Sequence, residues 1–161
     1  MALFVRGLLP VLFAPLCLLQ SALAAPDASP QGYWLTEKRS AIVQIFRCWG
    51  GSLDLCGKLV WFRVKADDPN PSGWDLKNPD PAQRKRPLCG LMFMYGFKPA
   101  GTDTWEGGTV YDADDGNTYH ATMKLQSDGA LRLHGYIGIS LIGASEVWTR
   151  ATQPVPACPG Q

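Results

Sequence analysis

The stretch Trp105 to Ile137 reads WEGGTVYDADDGNTYHATMKLQSDGALRLHGYI, and its period decides the fold. Apolar and aromatic residues alternate with polar ones every second position, the spacing of a half-buried strand. Two clusters interrupt the alternation, Asp114-Asp115-Gly116 and Ser127-Asp128-Gly129, and such residues make hairpin turns. A three-residue loop at each, with Gly in the left-handed conformation, predicts two registers. In the first, Tyr111 faces Tyr119, Thr109 faces Ala121, Gly107 faces Met123 and Trp105 faces Leu125, while Glu106 opposes Lys124 on the other face. In the second, Leu125 faces Leu131, Met123 faces Leu133, Ala121 faces Gly135 and Tyr119 faces Ile137. One odd-numbered face is then apolar across three strands. A slip of one residue would set Leu125 against Arg132 and Met123 against His134, so the pattern selects its register. The odd face is the expected interior; the even face, with His120, Lys124, Arg132 and His134, is the expected solvated side.

Outward from this stretch the same signature recurs. Short runs rich in Val, Ile, Thr and aromatics lie near 32–37, 41–48, 53–64, 88–97, 104–111, 117–125, 131–137 and 143–150, separated by Gly, Asp and Asn. A helical period is nearly absent. Eight consecutive strands in 161 residues predict one all-β domain, an eight-stranded antiparallel up-and-down β-barrel, because closure removes the exposed edges of a meander. The segment 65–87 breaks the pattern. It carries Asp67-Asp68-Pro69-Asn70-Pro71, Asn78-Pro79-Asp80-Pro81 and Arg84-Lys85-Arg86-Pro87, and its prolines forbid a central strand. A loop of this length is either a lid over the barrel mouth or an excursion without structure, and both readings stay open.

The first residues do not belong to the barrel. Met1 to Arg6 carries one positive charge, Gly7 to Leu19 is apolar, and Ala22-Leu23-Ala24 presents small residues where a signal peptidase reads. Residues 1–24 are therefore expected to be a cleaved secretory leader, and 25–161 the mature barrel with its long loop and Cys-bearing tail. The apolar run is short of the about 20 residues that span a bilayer. Cys17 follows Leu16 where lipid attachment wants a small residue. The expected location is the periplasm or outside the cell.

Of the 15 Lys and Arg, Arg6 leaves with the leader, which brings the basic count to the 14 of Asp and Glu. A neutral mature chain argues against an electrostatic grip on nucleic acid or anionic lipid. No second apolar segment is long enough to cross a membrane. Of five cysteines, Cys17 also leaves, and Cys48, Cys56, Cys89 and Cys158 remain. An even count in an exported chain reads as two disulfides, with three possible pairings. Cys48–Cys56 across the Gly50-Gly51 turn, and Cys89–Cys158 tying down the Pro-rich tail, are the favoured pair.

Several short motifs then come in order: Gly32-Tyr33-Trp34; Leu55-Cys56-Gly57-Lys58-Leu59-Val60-Trp61; Asn78-Pro79; Arg84 with Arg86-Pro87-Leu88-Cys89-Gly90; Trp105-Glu106-Gly107-Gly108; Tyr111-Asp112; Asp115-Gly116; Tyr119; and Trp148-Thr149-Arg150. Together they resemble a bacterial exported family known as domain of unknown function 2147 (DUF2147), over nearly all of the mature chain. The tail with Cys158 departs from that pattern. The resemblance implies a lipocalin-like (calycin-like) barrel. In lipocalins a Gly-x-Trp on the first strand meets an Arg at the end of the last, and Trp34 and Arg150 fit those roles. Such an Arg–Trp stack contributes about 1–2 kcal/mol and seals one end of the barrel.

Enzyme chemistry finds little support, and none is expected. His120 and His134 are the only histidines, diagonal on the outer face, and a metal site needs more ligands than these supply. Ser140 and Ser145 lie near glycines but form no Gly-x-Ser-x-Gly elbow. Asp112, Asp114 and Asp115 miss the calcium-loop spacing and suit a hairpin turn. No metal or cofactor is expected. Strand alternation places Trp61, Tyr95, Trp105, Tyr111 and Tyr119 inside, with Gly107 and Gly135 leaving space. Arg84 and Arg86 are candidates to meet a headgroup at the mouth. The expected function is carriage of a small apolar or amphipathic molecule; the alternative is an envelope interaction protein built on a filled, inert barrel.

Overall fold

A computed structural model describes residues 29–50, 52–64, 67, 70–152 and 155–158. The expected leader, its cleavage after Ala24 and Cys17 lie outside the described residues, as do parts of the long loop and of the tail. Eight strands follow one another: β1 (Gly32–Leu35), β2 (Ala41–Arg47), β3 (Leu55–Phe62), β4 (Met92–Pro99), β5 (Thr104–Asp112), β6 (Asn117–Leu125), β7 (Leu131–Tyr136) and β8 (Gly143–Arg150). Each pairs antiparallel with its neighbours, and β1 pairs with β8 through Trp34↔Arg150 and Leu35↔Thr149, so the barrel is closed. Among the described residues no helix is long and apolar enough to cross a membrane.

The β6–β7 register is the expected one, with Leu125↔Leu131, Met123↔Leu133 and Ala121↔Gly135; Ile137 lies just beyond the end of β7. The β5–β6 register differs. The turn holds four residues, 113–116, closed by the Gly116 amide on the Asp112 carbonyl, so Asp112 pairs with Asn117 and Val110, not Tyr111, pairs with Tyr119. The Asp112 and Asp115 carboxylates accept the Asp114 and Asn117 amides and hold the longer turn. Further down, one extra residue on β5 between Trp105↔Met123 and Gly108↔Ala121 forms a bulge. Gly107 takes a φ of +69° there, which a side chain resists, and Gly108, not Gly107, faces in, where a Cβ would collide with the Phe97 ring. Glu106 consequently opposes Lys98, and Lys124 opposes Thr104 with its ammonium 3.8 Å from Asp103.

Two more bulges matter. On β3, Ile42↔Trp61 is followed by Val43↔Leu59, with Val60 the extra residue. On β4, Leu55↔Phe97 is followed by Gly57↔Met94, and Gly96 sits at a φ of +69°. Each bulge reverses which side chains point inward beyond it.

The core fills the end of the barrel where β1 begins and β8 finishes. Trp34, Ile45, Leu55, Met94, Phe97, Trp105, Met123, Leu125 and Leu131 pack there with at most 9% of their surface exposed. Cys48 bonds Cys56 across the β2–β3 turn, and Cys89 bonds Cys158, with Cα separations of 5.1 and 6.2 Å. The second bond draws the chain after β8 over the outer face of β1–β3, where Pro156 meets a groove with Leu35, Ile42 and Trp61.

Candidate functional site

One end of the barrel is shut by the chemistry the first and last strands provide. Trp34 is fully buried, its indole Nε1–H donates to the Pro30 carbonyl at 2.7 Å, and the Arg150 guanidinium lies 4.0 Å over its ring. Arg150 also donates to the carbonyls of Gln31, at 2.6 Å, and Ser29, which draws the chain before β1 across the opening. Gly32, at a φ of +121°, is required: a Cβ there would stand 2.8 Å from the Arg150 Nη1.

The other half of the barrel is open. A cavity of about 1130 Å³ begins above the packed floor and runs out to the rim. Val43, Leu133 and Trp148 belong to both, as the top of the core and the bottom of the cavity. Leu59, Phe62, Leu91, Phe93 and Val110 make apolar walls, and Tyr119, Asp112, Asp114, Lys38 and Arg63 stand nearer the rim. Drug-sized ligands occupy concave, mostly apolar sites of comparable volume. The β7–β8 connection forms one lip. Ile137, Ile139, Leu141 and Ile142 there are 62–90% exposed, and Ile137 and Ile142 also line the cavity.

Across the rim runs the segment 70–88, which is built rather than loose. Asp75 is fully buried, yet every donor a carboxylate wants is supplied. Tyr111 Oη donates to Oδ1 at 2.6 Å; Asn78 Nδ2 and the Arg86 Nε and Nη2 donate to Oδ2, each at 2.7 Å. Burial by itself raises the Asp75 carboxyl, but the hydrogen bonds from Tyr111, Asn78 and Arg86, with the charge of Arg86, outweigh it and hold the group below its ordinary value. Burial and the neighbouring Asp75 push the Tyr111 hydroxyl up to about 12. Backbone contacts complete the strap: Trp74 bridges Pro87, Leu88 N–H donates to the Gly73 carbonyl, and Gly116 leaves room for the Lys77 carbonyl, which a Cβ would strike. Asp80 caps a short 3-10 turn at Pro81–Gln83 by accepting the Ala82 amide. The loop is therefore an ordered strap pinned to the β5–β6 corner.

The expected site residues separate into four places. Tyr119 lines the cavity, its hydroxyl donating to Asp115; that bond raises Tyr119 and, followed by the Asn117 backbone amide, holds the Asp115 carboxyl low. Tyr111 borders the cavity too, but its hydroxyl is spent on Asp75. Trp105 is in the packed floor, 7% exposed. Trp61 and Tyr95, expected inside, are outside: Trp61 lines the groove under the tail, and Tyr95 is 45% exposed with its hydroxyl on the Met92 carbonyl. The bulges at Val60 and Gly96 put them there. Arg86, expected to await a headgroup, is paired with Asp75 and lies 5.3 Å over the Tyr111 ring; Arg84 donates through Nε to the Asn78 carbonyl.

Asp75 and Glu146 were not singled out in the sequence. Asp75 carries no local signal, since its donors come from positions 3, 11 and 36 residues away. Glu146 was readable, because on β8 it shares a face with Ala144 and Trp148 and pairs with Leu133. On the outer face, His134 stacks on Tyr136, its Nδ1 is 2.9 Å from Ser145 Oγ and its Nε2 2.8 Å from the Ser140 carbonyl. Arg132 Nη2 donates to the same hydroxyl at 3.1 Å. Among the described residues no group of three or more His, Cys, Asp or Glu is arranged to hold a metal ion.

The model of the family described as "Uncharacterized protein conserved in bacteria (DUF2147)" matches residues 32–150, so the tail with Cys158 lies beyond the match. Among solved structures, protein HP1028 from the human pathogen Helicobacter pylori, described as belonging to the lipocalin family, superposes with a TM-score of 0.65. It is 23% identical, and the likeness covers 76% of this chain and 83% of that one. At that identity the fold is what the two share: an all-β, closed, eight-stranded lipocalin-like barrel. No curated protein matches this chain.

Proposed function

This chain belongs to the bacterial family DUF2147, and from that premise we propose that it is an exported, non-enzymatic binding protein that carries a small apolar or amphipathic molecule in its barrel. The observation that carries the reading is the cavity. Apolar walls at Leu59, Phe62, Phe93, Val110 and Leu133 border about 1130 Å³ above a filled floor. A lipocalin-like fold alone does not establish carriage, because one fold hosts many functions. Two disulfides suit an oxidising compartment, and the leader-like residues 1–24 supply a route to it.

Native mass spectrometry of protein expressed with its leader and purified gently tests this. The expected result is a mass that begins after Ala24, lacks four cysteine hydrogens, and carries a discrete addition lost on denaturation. An apo mass, joined by failure of the stripped protein to take up the neutral dye Nile red, would overturn the carrier reading. One feature favours the second reading, an envelope interaction protein: the exposed lip Ile137, Ile139, Leu141 and Ile142. A protein partner retained from envelope extracts and lost on Leu141→Ser, with no dye uptake, would establish it instead.

A further inference from the structure

The cavity has apolar walls, and of the charged groups that line it Glu146 is the half-buried one, the others being exposed. Glu146 pairs with Leu133 on β7 and follows Ala144 on the inward face of β8, two places before Trp148. Its Oε2 accepts the Trp148 indole N–H at 2.9 Å. That bond fixes the carboxylate against the bottom of the cavity, since Trp148 is 3% exposed and belongs to the core. Among the described residues Oε1 has no hydrogen-bond partner, and no Lys or Arg pairs with the group. A carboxylate half enclosed by apolar side chains is costly unless something donates to it.

The other charges lining the cavity, Asp67, Asp112, Asp114, Lys38 and Arg63, are all exposed, three acids to two cations. Asp112 and Asp114 line it, and the Asp112 carboxyl is raised first by burial and then by the negative charges of Asp115, Asp114 and Glu146, against one backbone hydrogen bond that lowers it. The cations Lys38 and Arg63 stand at the same exposed rim and do not pair with Glu146. An anionic amphiphile entering this space would bring its charge toward carboxylates, whereas a protonated amine would meet an open acceptor.

Resting on the carrier reading, we propose that the barrel selects amphiphiles with a cationic amine head, which Glu146 receives at the bottom of the cavity while the alkyl body lies against Leu59, Phe62, Phe93, Val110 and Leu133. The wall is then a discriminator between molecules of equal length and opposite charge.

Three dodecyl probes of equal chain length separate the terms: dodecylamine, dodecanol and dodecanoate, each measured by displacement of Nile red and by calorimetry at neutral pH below micelle formation. Dodecylamine is expected to bind about tenfold more tightly than dodecanol, the effect of one charge-assisted hydrogen bond, and dodecanoate more weakly than both. Glu146→Gln keeps the shape and an acceptor for Trp148, and is expected to bring amine and alcohol to parity with the alcohol unchanged. Asp112→Asn, at the rim, should reduce the preference less. If dodecanol binds but dodecylamine binds no better, or if Glu146→Gln leaves the preference intact in a protein with an unaltered melting curve, the inference fails while the carrier reading stands. If no probe binds and Nile red is not taken up, the carrier reading itself fails and this inference with it.

Discussion

At the floor of the barrel the fully buried group is an indole, Trp34; at the mouth it is a carboxylate, Asp75. Both are covered by an arginine, Arg150 in the first case and Arg86 in the second, and both arginines lie over an aromatic ring, at 4.0 Å from Trp34 and 5.3 Å from Tyr111. The similarity stops there. The floor is held by apolar contact with a cation laid on top. The strap is held by an ionised acid that depends on each of its donors. The contrast teaches that one end is built to stay shut, and that the other is fastened by a group whose charge conditions in solution can change.

The largest effect should come from the floor. Trp34→Ala is expected to cost about 4 kcal/mol of global stability, because a large fully buried ring leaves a cavity and takes away the surface on which Arg150 lies. Urea unfolding measures it. The strap should stay protected from trypsin at Lys77 and Lys85 under native conditions. A cost under about 1 kcal/mol would mean that the floor is not the anchor of the fold.

A smaller effect, about 2 kcal/mol, is expected for Asp75→Asn, which removes the charge between Tyr111 and Arg86 but leaves Arg86, whose side chain is 35% exposed, able to hydrate. Its signature is local. Trypsin should cut at Lys77 and Lys85 before the barrel melts, and the comparison breaks if cleavage and global unfolding coincide.

Acid should imitate that substitution more weakly. The folded Asp75 carboxyl is held below its ordinary value of 3.8, so its stabilisation is fully present above that pH and is lost as pH falls through the folded value. Asp112 has the opposite sign: its folded value is raised, so protonation as pH falls toward 3.8 relieves the rim and offsets part of the loss. Hydrogen exchange at the Asp75 and Leu88 amides, followed downward from neutral pH, should show the strap opening ahead of the β6–β7 amides. Asp112→Asn should make that opening steeper.

How far the sequence carried the reading depended on parity. On β6 and β7 no bulge intervenes, and alternation placed Ala121, Met123, Leu125, Leu131 and Leu133 inside, where they are. The eight strands were legible for the same reason. On β3 and β4 extra residues reverse the count, so strict alternation sends Trp61 and Tyr95 to the wrong face, and the four-residue turn 113–116 sets Val110 where a three-residue loop would set Tyr111. Gly96 and Gly107 were warnings, since a lone glycine within a strand often marks a bulge. Val60 offers no such sign. The Trp34–Arg150 closure followed from the family resemblance, because it joins strand ends that any barrel brings together. The strap did not, because the burial of Asp75 exists only once Asn78, Arg86 and Tyr111 have converged on it.

The disulfides carry a consequence for how the chain is made. Cys48 joins Cys56, and Cys89 joins Cys158, so among the four cysteines of the barrel each partner is the next in sequence. A chain threaded out of a membrane pore from its N-terminus, and oxidised as each thiol emerges, would make both native bonds in order of appearance. No shuffling step is needed to correct them. Cys89 must wait 69 residues for its partner, however, and that partner follows the last strand. Its closure therefore marks a chain that has delivered all eight strands.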